Sequence, residues 1–277
     1  MSLLEEVRRI SSEHSFLAKK GLGQNFLIDE RVLEREVRHA AVDGKTVLEI
    51  GPGFGFLTKK LAAKAERIVA IEKDARLLPI LRGELAGLGN VELVHADFLR
   101  WKAKEKFDVI ISNIPYSISS PLLFRLAEMD FGRAVLCLQK EFVDRLLAKP
   151  GTKDYSRLSV TSQARFRIRL LERVSRSAFH PRPKVDSALI ELVPTGRRLS
   201  PLEEKLVLLL FQHRKKTVRA ALADSASQLG VAKEEAQRAA AAVGLAERRV
   251  FTLTEKEFSS IASALPKPSA SAPSRVP

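Results

Sequence analysis

From Thr46 onward the chain alternates short apolar runs with amphipathic stretches. Thr46–Ile50 reads as a buried strand closed by Gly51, followed by strands at Arg67–Ile71, Val91–Val94, Asp108–Ser112 and Ala134–Leu138. Apolar residues at helical spacing predict helices over Phe56–Ala65, Asp74–Leu85 and about Pro121–Glu128, the last with its proline at a tolerated first-turn position. Strands alternating with helices imply a parallel, doubly wound α/β sheet. Upstream, Leu3–Ala18 reads as a short amphipathic helix or a loose arm. A basic, glycine-punctuated loop (Lys19–Leu27) follows, then a helix over about Glu30–Ala41 with Asp29 as its N-cap.

Past the fifth strand the pattern changes again. Arg165–Leu170 alternates with period two and predicts a half-exposed strand with a basic face. Ala188–Val193 is a further strand, giving the sheet an antiparallel end. Thr195–Pro201 reads as a linker, and Leu202–Ala262 as largely helical with stops at Gly230 and Gly244. The Pro/Ser/Ala-rich tail from Pro266 to Pro277 is expected to be disordered. The expected fold is thus α/β, a doubly wound Rossmann-like sheet over residues 1–195, with a smaller all-helical domain over 196–265 and a tail over 266–277.

The 277 residues are 45% hydrophobic and 29% charged, which suits a globular protein with a real core. No apolar run is long enough to span a membrane, and Met1–Ile10 lacks the apolar core of a signal peptide, so a cytoplasmic protein is expected. A single cysteine, Cys137, excludes a disulfide within the chain and makes a zinc site implausible; it reads as a small buried hydrophobe. The net charge of +14 points to a polyanionic partner. Residues 133–219 hold 20 Lys and Arg against 8 Asp and Glu, so +12 of that excess lies there. A solvated basic face would give the same count, and charge alone does not choose nucleic acid. With no obvious coiled coil, a monomer is the default expectation.

The chemistry begins at Glu49-Ile50-Gly51-Pro52-Gly53-Phe54-Gly55, where the first strand runs into a helix. Glycines there let the backbone turn sharply and approach a ligand. Glu72 ends the second strand 21 residues after Gly51, a spacing that suits a carboxylate accepting from ribose hydroxyls. A dinucleotide fingerprint would need glycine or alanine where Phe56 stands, which argues against a dehydrogenase and for a nucleoside ligand such as S-adenosylmethionine. Asp97, after the third strand, can bind an adenine amine, although an Asp there is commonly a helix cap. Ser112-Asn113-Ile114-Pro115-Tyr116 ends the fourth strand, on the sheet edge where ligands bind.

Asn113-Ile114-Pro115-Tyr116 resembles the signatures of methyltransferases that act on amino groups of nucleic acids. With Gly23–Leu27, Glu49–Gly53, Tyr155–Ser159 and Phe179–Ser187, it makes the chain similar to the family of small-subunit rRNA adenine N6,N6-dimethyltransferases. Lys153–Leu158 is more like archaeal than bacterial members, and Ile114 stands where many members have leucine. The resemblance implies S-adenosyl-L-methionine as cofactor, rRNA of the assembling small ribosomal subunit as partner, and no metal. It implies that Gln24, Asn25 and Leu27 line the cofactor with Gly51, Gly53, Glu72, Asp97 and Asn113. The Asn113 side-chain oxygen and the Ile114 carbonyl would accept the two N–H groups of the target amine, with Tyr116 and Phe179 sandwiching an extruded adenine. Arg165, Arg167, Arg169, Arg182 and Lys184 in the first domain, and a helical cluster of Arg214, Lys215 and Lys216 in the second, would contact phosphates.

Two rivals remain at this stage. One is the methylase group that modifies large-subunit rRNA, sharing cofactor and chemistry. The other is a catalytically idle ribosome-assembly or nucleic-acid-binding factor on the same scaffold, against which the intact Gly51, Glu72, Asp97 and Asn113 argue.

Overall fold

Apolar runs buried on both faces become the centre of a parallel sheet. In the computed structural model, which describes residues 1–19, 23–113 and 115–266, β2 (Thr46–Ile50) is that centre. It pairs in parallel with β3 (Arg67–Glu72) on one side and β5 (Phe107–Ser112) on the other. The sheet has seven strands in the order β4-β3-β2-β5-β6-β9-β7, with β4 at Val91–His95, β6 at Phe131–Gln139, β7 at Phe166–Val174 and β9 at Ser187–Pro194. Strands β2 to β6 are parallel; β9 and β7 close the sheet in antiparallel fashion. Strand order reverses between β2 and β5, so their carboxyl ends flank the crevice where doubly wound sheets bind ligands.

The helices of this unit are α1 (Leu3–Glu13), α2 (Glu30–Ala40), α3 (Phe56–Ala62), α4 (Leu77–Glu84) and α5 (Ser119–Leu126). Ser2 and Glu5 form a capping box on α1, and the Asp29 carboxylate caps α2 by accepting from Arg31 N (3.0 Å) and Val32 N (3.2 Å). A small second sheet pairs β1 (Phe26–Leu27) with β8 (Phe179–His180), bringing Leu27 opposite the sequence-distant Phe179.

The chain forms two compact units, and the division differs from the expected boundary at 195. Residues 1–143 and 166–194 make the first; 144–165 and 195–277 make the second. Residues 144–165, expected in the first domain, fold with the second. There α6 (Lys140–Leu146) ends, and α7 (Arg157–Arg165) carries Val160 into a core shared with α8 (Pro201–Gln212), α9 (Val218–Leu229), α10 (Lys233–Ala242) and α11 (Glu255–Ala264). Tyr155, 1% exposed, donates its hydroxyl to the Leu253 carbonyl at 2.7 Å. Gly230 ends α9 with φ +76°, as a helix C-terminus favours. Most of the tail (267–277) lies outside the described residues. No helix among the described residues is long and apolar enough to cross a membrane.

Candidate active site

Because β2, β3, β4 and β5 run parallel, the residues that follow them gather on one edge of the sheet. The turn after β2 is built from three glycines with positive φ: Gly51 (+73°), Gly53 (+60°) and Gly55 (+80°). At Gly51 no atom lies within 4 Å of where a Cβ would stand, whereas at Gly53 a Cβ would meet Phe26 Cδ1 at 3.0 Å. Aromatic packing holds the turn against the N-terminal arm: Phe54 lies 4.2 Å from Phe26 and 5.3 Å from Phe16, centroid to centroid. The Arg76 guanidinium covers Phe16 at 4.8 Å and donates to the Leu17 carbonyl.

Glu72, at the end of β3, is 7% exposed. Its Oε1 accepts from Asp74 N at 2.7 Å, and the N–H groups of Lys73 and Gly53 face the same carboxyl. Burial still raises its pKa above the ordinary range. Asp74 is held low by the Arg76 guanidinium and also receives Gln24 Nε2 at 2.9 Å. Asn25 Nδ2 donates to the Gly23 carbonyl, making a local turn. After β4, Asp97 caps the turn it begins, accepting from Leu99 N at 3.1 Å, and pairs with Lys73 Nζ at 2.9 Å, which keeps its pKa low.

Ser112, buried at the end of β5, donates to the Ile50 carbonyl at 2.7 Å and locks the two strand ends together. Asn113 comes next. Its Nδ2 donates to Glu36 Oε2 of α2 at 2.9 Å, while its Oδ1 is buried without a partner. Ile114 lies outside the described residues. Pro115 abuts Gly23, which has φ +62° and where a Cβ would meet Pro115 Cβ at 3.1 Å. Tyr116 shares a 2.6 Å hydrogen bond with the buried Ser187 hydroxyl, and burial raises its phenol pKa despite that bond. Gly23, Asn25, Asn113, Tyr116, Cys137 and Phe179 line one narrow cleft. Phe179 belongs to the core at 5% exposure and offers the cleft only part of its ring. Leu27, opposite it, is equally buried.

Two carboxyls are buried near the cleft residues, Glu36 against Asn113 and Glu49 on β2. Glu36 and Glu49 are fully buried, and burial pushes both carboxyls up to about 8; for Glu36 the Asn113 hydrogen bond, and for Glu49 the nearby Thr58 hydroxyl, partly oppose the shift. Glu36 Oε1 and Glu49 Oε2 have no partner.

The basic residues are distributed differently from the sequence pattern. Arg165 does not share a strand face with Arg167 and Arg169: it ends α7 and pairs with Glu204. Arg169 pairs with Glu191 at 3.1 Å, and Arg167 is exposed on β7. Arg182 and Lys184 are exposed in the loop after β8. Arg214, Lys215 and Lys216 lie in the turn between α8 and α9 rather than on a helix. Arg214 there is structural, donating to the carbonyls of Lys153 and Tyr155 at 3.1 Å. Lys216 pairs with Asp224 at 2.7 Å, and Lys215 is exposed.

Sequence reasoning singled out neither Glu36 nor, beyond their place in the blocks Gly23–Leu27 and Phe179–Ser187, a role for Gly23 or Ser187. Glu36 had a signal: it falls on the apolar stripe of α2 with Leu33, Val37 and Ala40, where an acid is out of place. Ser187 had none, since its partner is 71 positions away.

A family model described as ribosomal RNA adenine dimethylase matches residues 15–258. A Thermococcus kodakarensis protein named "Probable ribosomal RNA small subunit methyltransferase A" is 47% identical over 253 residues, covering 90% of each chain. Its counterpart in Thermococcus onnurineus is 45% identical over 93% of this chain and 96% of its own. Among solved structures, a dimethyladenosine transferase from Plasmodium falciparum superposes with a TM-score of 0.76 at 29% identity, covering 84% of this chain and 94% of that one. The 23S rRNA methyltransferase ErmE superposes at 0.66 and 30% identity, covering 87% and 99%. With a family match across most of its length and relatives this similar, the chain belongs to the ribosomal RNA adenine dimethylase family.

Proposed function

We propose that this protein transfers methyl groups from S-adenosyl-L-methionine to the exocyclic N6 amine of adenosines, two adjacent ones near the 3′ end of small-subunit rRNA, during ribosome biogenesis in the cytoplasm. The observation that carries the chemistry is the unpartnered, buried Oδ1 of Asn113 in a cleft shared with Tyr116 and Phe179. A buried acceptor without a donor is costly, and an amine N–H answers it.

The residues present fit the cofactor. Gly51 leaves the turn open on the side where a side chain would stand, and Glu49 Oε2 is a second orphaned acceptor. Gly51 and Gly53 would approach the cofactor's amino-acid part and Glu72 its ribose. Asp97 would take the adenine amine, since each of its oxygens keeps a lone pair beyond the bonds to Lys73 and Leu99. Gln24, Asn25 and Leu27 would close the site from the arm. When bound, the cofactor supplies a methyl group already activated by its positive sulfur.

What remains for the protein is orientation. An adenine amine is a weak nucleophile because its lone pair is delocalised into the ring. Accepting its N–H groups at Asn113 Oδ1, and at the Ile114 carbonyl that the family motif implies, draws the nitrogen toward tetrahedral geometry and aims the lone pair in line with the methyl group. Tyr116, anchored by Ser187, and the edge of Phe179 would hold the flipped base. The amine nitrogen would gain the methyl group that the cofactor supplies and give up one proton to solvent. Arg167, Arg182, Lys184 and Lys215, exposed and with no ion pair to another described residue, are the better placed of the expected phosphate contacts.

The test supplies radiolabelled cofactor with immature small ribosomal subunits or large-subunit RNA, and identifies the labelled nucleosides after digestion. Label in dimethyladenosine of the small subunit, lost with Asn113→Ala, is expected; removing one such positioned group costs about 10²–10³-fold in rate. The likeness to ErmE gives a second reading, methylation of large-subunit rRNA, and label there alone would select it. RNA binding without any label would leave a non-catalytic assembly factor.

A further inference from the structure

Helix α2 is amphipathic in the ordinary way except at one position. Its buried face consists of Val32, Leu33, Val37 and Ala40, all apolar, together with Glu36, which is 0% exposed. An acid in that row weakens the core, since burying a carboxyl without full hydrogen bonding costs free energy that leucine or methionine would not. Nothing in the packing repays the cost. One oxygen, Oε1, has no partner; the other, Oε2, has a single one, the Asn113 amide nitrogen at 2.9 Å.

That hydrogen bond decides which end of Asn113 faces the cleft. A side-chain amide can present either its oxygen or its NH2 group, and the two ends are nearly identical in shape. Only the oxygen can accept from an amine; with the amide turned over, donor would meet donor. Glu36 Oε2 accepts from Nδ2, and this leaves Oδ1 facing the cleft, buried and unpartnered. We infer that Glu36 is a positioning residue, which orients the Asn113 amide so that its oxygen is the acceptor for the target amine. The inference rests on the amine chemistry proposed above.

The surroundings of Glu36 agree with a role as acceptor in either protonation state. The ionisable groups that face it are Glu49 from β2, Glu172 from β7 and the Cys137 thiol from β6. Arg35, its neighbour in sequence, is engaged with Glu172 at 2.7 Å, and no cation is among the groups that act on Glu36. No positive charge therefore holds Glu36 ionised, and burial keeps it protonated up to about pH 8. A neutral carboxyl still has a carbonyl oxygen to accept from Asn113, with its proton on the free Oε1. Glutamine reproduces that arrangement, and methionine fills the volume without it.

The experiment compares Glu36→Met and Glu36→Gln with the wild-type full chain, measuring kcat and KM on small-subunit RNA, cofactor Kd by calorimetry, and thermal stability. The expected result is a kcat lower by about 10–100-fold for Glu36→Met, the scale of a misoriented catalytic group. Cofactor Kd, RNA KM and melting temperature should hold or improve, and Glu36→Gln should restore most of kcat. Full activity in Glu36→Met would overturn the inference. So would a loss of kcat that tracks a fall in stability and cofactor affinity, which is the mark of a merely structural residue. A folded Glu36→Gln as slow as Glu36→Met would overturn it too, because orientation alone would then be insufficient. If the wild type itself methylates no adenosine, the failure belongs to the proposed function rather than to Glu36.

Discussion

Replacing Glu49 with glutamine tests the electrostatics of the site without touching its shape. The side chain is 1% exposed at the end of β2. Burial, reinforced by repulsion from Glu72 and only partly opposed by the Thr58 hydroxyl, raises its carboxyl from 4.5 to about 8. Between pH 5.5 and 7.5 the folded protein therefore holds a proton that the unfolded chain has released. A raised folded-state pKa contributes stability that is complete below 4.5 and is lost as pH rises through 8. Each pH unit in that window costs about 1.4 kcal/mol per proton held. Glutamine mimics the neutral acid and has no proton to lose. Across the two units the variant should thus gain about 2.7 kcal/mol on the wild type. Glu36 acts in the same direction and is present in both proteins, so it enters the difference only through its repulsion with Glu49. The assay is urea unfolding at pH 5.5, 6.5 and 7.5, followed by fluorescence of Trp101. As the chain's sole tryptophan, packed on Phe107 in the same unit, it reports that unit by itself. A stability gap that stays flat with pH would refute the reasoning. That outcome would show that Glu49 is already ionised in the folded protein at pH 5.5.

Gly53→Ala forces an L side chain into φ +60° and against the Phe26 ring, a strain of about 1–2 kcal/mol. If the turn relaxes to relieve it, cofactor affinity should fall about tenfold, readable by calorimetry; unchanged affinity and melting temperature would mean that the turn tolerates a Cβ. Lys215→Gln should weaken RNA binding evenly across sequences and lower the slope of log K against log salt by about one, while leaving the melting temperature alone. Arg214→Gln, next to it, should instead cost about 1–3 kcal/mol of stability, because the carbonyls of Lys153 and Tyr155 lose their donor. A shallower salt slope with unchanged stability in Arg214→Gln would make it a phosphate contact after all.

Local pattern determined a large part of this protein. Thr46–Ile50 is a strand with the bounds its apolar run implies, and the neighbouring strands differ only by a residue or a few at their ends. Parallel strands buried on both faces are apolar at nearly every position, with Glu49 the exception in β2, and that signal needs no knowledge of partners. Asp29 and Gly230 likewise declared the ends of their helices through chemistry confined to a few residues. The glycine turn and the Asn113–Tyr116 block lie on the same sheet edge because alternation of strand and helix forces parallel topology.

Tertiary structure decided what depends on a distant partner. Whether an arginine faces phosphate or a neighbour is invisible to periodicity: Arg165 meets Glu204, and Arg214 meets the backbone of 153–155. Residues 144–165 join the second unit through contacts such as Tyr155 with Leu253, 98 positions away. Above all, the orientation of the Asn113 amide depends on Glu36, 77 residues earlier. The sequence names the asparagine, but only the packing of α2 against the sheet brings a carboxyl to its nitrogen, because a hydrogen bond is set by distance in space and not along the chain.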